Sequence, residues 1–170
     1  PLFNGDRVIP NIPTVMMSLR RIGQVDYSDT KALLNRIVSL PDVDQLSAAL
    51  PYVIEGLNNI PHMRSEETQR LLAAVMDRPD AVALVEALPP FIKEVGSIDG
   101  INTSRALSVL ESLIKHPNAV ELAHALLPVV AKLQRFSAIR GVGPDRVIED
   151  IIANPQGAEV AQVVPQWIDV

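Results

Sequence analysis

The chain has no cysteine. That excludes a disulfide framework and any thiolate metal site, and it leaves the redox compartment open, since proteins of every compartment can lack Cys. Aromatics make up only 4% of the residues, with a single Trp, so the core must be filled by Leu, Ile, Val and Ala, which favours packed helices. No uninterrupted apolar run approaches the roughly 18 residues that a spanning helix needs. The longest candidate, Ala123 to Ala131, is interrupted by His124 and Pro128, and no membrane segment is expected. Pro1 to Arg7 hold no basic region leading into an apolar stretch of signal-peptide length, and a start at Pro reads as an excised or processed fragment. Positive charge is not in surplus either. The net charge is -5, which disfavours a generic phosphate-binding surface, because nonspecific nucleic-acid affinity comes from clustered Lys and Arg that displace counterions.

Aliphatic side chains are abundant. Apolar residues are 48% of the 170, and a chain of this length buries roughly two thirds of its unfolded surface, enough for a core without staples. Their arrangement is periodic. Pro41, Pro79, Pro117 and Pro155 stand 38 residues apart. Each precedes Asp42, Asp80, Asn118 or Gln156, and five residues beyond each Pro comes Leu46, Leu84, Leu122 or Val160. Leu50, Leu88, Leu126 and Val164 form a further column, followed by Pro51, Pro89, Leu127 and Pro165; only the third copy departs, with Pro128 one place later. Upstream, Leu34, Leu72, Leu110 and Ile148 align, as do Ile37, Val75, Leu113 and Ile151, and Val38, Met76, Ile114 and Ile152. Downstream run Ile54, Ile92, Val130 and Ile168, then Leu57, Val95 and Leu133, then Ile60, Ile98 and Phe136. Apolar positions at i, i+3 and i+4 mark one face of a helix, and a fixed period of this length marks a stacked repeat.

The expected fold is therefore all-α, a right-handed α-solenoid of 38-residue helix-turn-helix repeats with Pro-kinked first helices. It is read as one domain over 1–170, with a partial leading repeat at 1–40, full repeats at 41–78, 79–116 and 117–154, and a half repeat at 155–170. Ile12, Pro13, Val15, Met16, Leu19 and Ile22 place the latter half of a degenerate unit at the start. The first Pro of each unit suits a first helical turn, where its missing N–H would be unpaired anyway. The second Pro predicts a kink, or a break into two shorter helices. Ser65 and Thr103 read as N-caps of the second helix and Pro144 as a first-turn residue. Val25, Met63, Ile101 and Ile139 form an apolar column that pins the turn-rich loops to the core.

The Leu50-Pro51-Tyr52-Val53-Ile54 and Leu88-Pro89-Pro90-Phe91-Ile92 segments, followed by a loop and a Leu71 to Ala74 helix, resemble the HEAT and armadillo superfamily. That resemblance implies a stacked helical fold and a habit of binding partners, and it carries over no functional residue. Ser39-Leu40-Pro41-Asp42 and Asp77-Arg78-Pro79-Asp80 are also similar to the helical repeats of plant-pathogen type III effectors, without that pattern's Trp. This second likeness implies delivery into a host cell.

Chemistry-bearing residues do not assemble into a catalytic set. His62, His116 and His124 are the only histidines, and a metal site on His116 and His124 would need a third ligand, for which Glu121 is the local candidate; surface histidines explain them more simply. Glu66-Glu67 and Glu149-Asp150 pair carboxylates, but acid-base chemistry needs a pocket that separates their pKa values, and both pairs read as solvated charge. Gly141-Val142-Gly143-Pro144 lacks the Lys-Ser/Thr of a phosphate loop and reads as a turn. Arg20, Arg21, Arg135, Arg140 and Arg146 are the main basic features, yet the column of Arg21 and Arg135 also holds Asn59 and Ser97, so no phosphate-reading strip is built. Trp167, in the column of Val53, Phe91 and Val129, reads as a core aromatic or one covered by a following repeat; a binding hot spot is the other reading. No cofactor is implied.

The columns that the fold does not fix are informative. Gln45, Ala83, Glu121 and Glu159 form one, Ala48, Glu86, His124 and Gln162 another, and Glu55, Lys93, Ala131 and Asp169 a third. A solenoid presents such positions on an extended surface for partners. The expected function is a non-catalytic scaffold that binds a peptide or protein through Gln45, Glu55, Glu86, Lys93, Glu121, His124, Glu159 and Gln162. The alternative is a modular RNA or DNA reader, against which the acidic balance and mixed columns speak. Apolar end surfaces would also permit end-to-end self-association.

Overall fold

The computed structural model describes residues 11–21, 27–40, 42–134 and 143–168. Among them the secondary structure is helical throughout: α1 (Ile12–Arg21), α2 (Tyr27–Val38), α3 (Val43–Asn58), α4 (Ser65–Met76), α5 (Ala81–Gly96), α6 (Thr103–Lys115), α7 (Ala119–Leu133), α8 (Pro144–Ala153) and α9 (Gly157–Ile168). The odd-numbered helices pack on one another in chain order, α1 on α3, α3 on α5, α5 on α7 and α7 on α9. The even-numbered helices do the same from α2 to α8, and from α2 onward each helix also packs on the next in sequence, α9 on α8 being the last such pair. Two layers result, with the aliphatic core between them. Among the described residues no helix is long and apolar enough to cross a membrane.

The aligned apolar columns line that core. Leu34, Leu72, Leu110 and Ile148 are buried in the even layer, and Leu46, Leu84 and Leu122, with Leu50, Leu88 and Leu126, in the odd layer. Burying each such side chain contributes about 1.5–3 kcal/mol, and no buried side-chain polar atom among the described residues is left without a partner. The fourth copy differs, since Val160 and Val164 are only half-buried. In the leading copy Val15 is buried, Met16 half-buried and Pro13 exposed. Met63 and Ile101 are half-buried against the core, whereas Ile22, Val25, Pro41, Phe136 and Ile139 lie outside the described residues.

Helix starts depart from the expected positions. α3, α5, α7 and α9 begin at Val43, Ala81, Ala119 and Gly157, two residues after the aligned Pro, and Pro79, Pro117 and Pro155 sit in the preceding turns. The N-caps are Asp42, Asp80 and Asn118. The prolines thus fix the approach of the chain and stay outside the first helical turn. Ser65 and Thr103 are likewise first helical residues, and the caps are Arg64 and Asn102; the Asn102 side chain accepts from the Arg105 N–H at 3.0 Å. Pro144 does occupy the first turn of α8.

The internal prolines do not break their helices. α3 runs through Pro51, α5 through Pro89 and Pro90, α7 through Pro128 and α9 through Pro165. An interior Pro costs about 3 kcal/mol through the lost hydrogen bond and the clash with the preceding turn. Pro90 and Pro128 are exposed and Pro51, Pro89 and Pro165 partly so, so water can reach the freed turn while aliphatic burial on the opposite face holds the helix together.

Polar contacts join helices about one period apart. Arg70 pairs with Glu111 and, one copy later, Ser108 donates to Glu149, each at 2.5 Å. Arg36 pairs with Asp77, and the Gln134 side chain donates to the Glu94 carbonyl and carboxylate at 2.9 and 2.6 Å. Arg78, in the turn between α4 and α5, reaches the C-terminal end of α6. It donates to the carbonyls of Ile114 at 2.7 Å, His116 at 2.8 Å and Pro117 at 3.1 Å.

Candidate interaction surface

In α3, Gln45, Ala48, Tyr52 and Glu55 are spaced i, i+3, i+7 and i+10, which places them on one helical stripe. The same stripe carries Ala83, Glu86, Pro90 and Lys93 on α5, then Glu121, His124, Pro128 and Ala131 on α7, and Glu159, Gln162 and Gln166 on α9. Every one of these positions is exposed. Because the odd helices pack in order, the stripes lie side by side along one layer. All eight residues expected to meet a partner, Gln45, Glu55, Glu86, Lys93, Glu121, His124, Glu159 and Gln162, belong to this surface, while Asp169 lies outside the described residues.

The stripe also contains a column that sequence reasoning passed over, Tyr52, Pro90, Pro128 and Gln166. Its signal was a large aromatic in a column otherwise held by Pro and Gln. Tyr52 is 65% exposed. It stands between two shallow grooves, one between α1 and α3 edged by Thr14, Ser18 and Ala48, the other between α3 and α5 edged by Gly56, Pro89 and Lys93. Gly56 keeps the second groove tight, because a Cβ there would stand 3.1 Å from Ile92 Cγ2. Glu55 and Lys93 face this groove with opposite charges.

The other singled-out residues are dispersed. His62 is exposed in the turn before α4, and His116 Nδ1 accepts from the Asn118 N–H at 3.1 Å. His124 and Glu121 are exposed on α7, and among the described residues no three His, Asp or Glu side chains converge with metal-ligand geometry. Glu67 accepts from the Arg64 N–H at 2.9 Å at the start of α4, and Glu149 accepts from Ser108, so one member of each carboxylate pair is committed to a structural bond. Away from this surface, the hydrogen bond from Arg78 holds the Asp80 carboxyl below its ordinary value. Arg146 is exposed and Gly143 caps α8. The side chains of Arg20 and Arg21 fall outside the described residues, as do Arg135, Arg140, Gly141 and Val142. Trp167 is 74% exposed although Val53, Phe91 and Val129 in its column are fully covered. It is therefore no core aromatic among the described residues.

No family model, curated protein or solved structure matches the chain.

Proposed function

We propose that the chain is a segment of α-solenoid built from 38-residue helix-turn-helix units, of the HEAT and armadillo kind, and that it acts as a non-catalytic scaffold binding a peptide or protein on the odd-helix layer. The observation that carries this reading is the stripe itself. Its positions are exposed on α3, α5, α7 and α9 and vary freely in charge and size, while Leu46, Leu84 and Leu122, with Leu50, Leu88 and Leu126, stay aliphatic and buried on the same helices. Packing does not dictate what stands there, so recognition is left as the use for it. Tyr52 between two grooves supplies the amphipathic anchor that interface hot spots favour, and Glu55, Glu86, Lys93, Glu121 and Glu159 supply charges able to set partner choice.

Affinity capture with the purified chain at two salt concentrations tests this, run alongside a Tyr52→Ala/Glu86→Lys variant. A protein retained at both salts by the parent chain and lost from the variant, with unchanged helicity, is the expected result. Nucleic acid recovered only at low salt would replace the scaffold with a backbone-charge reader.

A further inference from the structure

The groove between α3 and α5 differs from the two intervals that follow it along the odd layer. Gln134 spans from α7 to α5 by donating to the Glu94 carbonyl and carboxylate, and Lys132 spans from α7 to α9 by donating to the Pro165 carbonyl at 2.7 Å. One period earlier the places of Glu94 and Gln134 are taken by Gly56 and Gly96. Neither glycine can send a side chain across, and a groove of about 490 Å³ stays open there. From Tyr52 to Asn59 it follows α3 for roughly 10 Å at the helical rise per residue, the length of about three residues of extended chain.

The two walls of this groove are opposed in charge. Glu55 stands on the α3 side and Lys93, 38 residues on, at the same level of the α5 side. Both are exposed, and neither side chain makes a hydrogen bond or ion pair with a described residue. Tyr52 and Pro89 make one end apolar, and Asn59 and Ser97 make the other polar. Successive side chains of an extended chain point to opposite sides. Two adjacent residues of opposite charge, laid along the groove, therefore meet both walls at once, whereas the same two residues separated by one position would point to a single wall.

Building on the scaffold reading of the odd-helix layer, we propose that the α3–α5 groove takes an extended segment of the partner in which a basic and an acidic residue are adjacent. The basic residue pairs with Glu55 and the acidic one with Lys93, and a neighbouring apolar residue rests on Tyr52 and Pro89. Charge complementarity of this kind sets which segment binds, because a like charge on either wall is repelled.

Two dye-labelled peptides of identical composition, Leu-Arg-Glu-Gly-Ser-Gly and Leu-Arg-Gly-Glu-Ser-Gly, test this by fluorescence anisotropy against the full chain at low salt. The first, with adjacent charges, should saturate and bind about tenfold more tightly than the second. Glu55→Lys makes both walls cationic and should remove that advantage, and Glu55→Lys/Lys93→Glu, which exchanges the walls, should restore it. Gly96→Gln places in this groove the side chain that closes the next one. A Cβ at Gly96 meets only Ile60 Cγ1, at 3.5 Å, so the variant should keep its helicity by circular dichroism and lose the peptide. Equal affinity for the two peptides, binding of neither at millimolar concentration, or no recovery in the exchanged double variant would each overturn the proposal. A protein captured through the stripe as strongly by Gly96→Gln as by the parent chain would likewise remove the groove and leave the scaffold reading standing. Capture of no protein by the parent chain would count against the scaffold, whereas the two peptides decide the groove by themselves.

Discussion

Arg78 grips Asp80 through both carboxylate oxygens, at 2.7 and 2.8 Å, while the same guanidinium donates to the carbonyls of Ile114 and His116 at the end of α6. A cation at a helix C-terminus satisfies orphan carbonyls and complements the helix dipole, and the planar fork makes both sets of bonds at once. Arg78→Ala should cost about 1.5–3 kcal/mol, the range for hydrogen bonds to a charged group. Arg78→Lys should recover only part of it. Urea unfolding followed by circular dichroism reads both.

The same pair sets a pH dependence. Asp80 is held below its ordinary value in the folded chain by the Arg78 hydrogen bond. A carboxylate depressed by folding contributes stability that is fully present above its unfolded pKa, about 3.9, and is lost as pH falls through the folded value. Acid titration of the parent chain should therefore lose stability below about pH 4 more steeply than Asp80→Asn does, with the two curves differing by a constant amount near neutrality.

His62 and Gly100 occupy one column and share a left-handed backbone, with φ of 61° and 76°. Each sits third in a four-residue turn closed by Met63 N–H to Ile60 or Ile101 N–H to Ile98. A side chain costs about 1 kcal/mol in that conformation, so His62→Gly should raise stability by about that much and Gly100→Ala should lower it similarly. Thermal melts of the two variants should move in opposite directions.

Gly157 opens α9 where the equivalent positions hold Val43, Ala81 and Ala119. A Cβ there would overlap the Ile151 carbonyl oxygen and press on Leu122. Gly157→Ala should destabilise by about 1–3 kcal/mol, the usual cost of overpacking, despite the better helix propensity of Ala. Leu84→Ala and Leu122→Ala, in fully buried positions, should each cost about 2–5 kcal/mol. Chemical unfolding of the three variants beside the parent chain checks these values.

How much of this was legible beforehand depended on whether a feature repeats. Leu84 and Leu122 could be assigned to the core because their column recurs every 38 residues, and Glu86 and His124 to the surface because theirs varies. Arg78 was invisible for the opposite reason: its column holds Leu40, Arg78, His116 and Asn154, and its partners lie on a different unit. The two-residue offset of the helix starts escaped because a Pro can precede a cap as readily as it can open a first turn. Tyr52 escaped because its column, with Pro90, Pro128 and Gln166, repeats no aromatic. Trp167 followed its column in pattern and left it in burial, since burial depends on which helix lies next to α9.

Site-specific photo-crosslinking in the presence of a cell extract tests the central claim most directly. A photoreactive side chain at Tyr52, Glu86, His124 or Gln162 samples the odd-helix stripe, and one at Arg70, Ser104 or Arg146, all exposed on even helices, samples the other layer. The odd-helix positions should trap one and the same protein, and the even-helix positions should not. Trapping of that protein mainly from Arg70, Ser104 or Arg146 would contradict a scaffold that binds through its odd-helix layer.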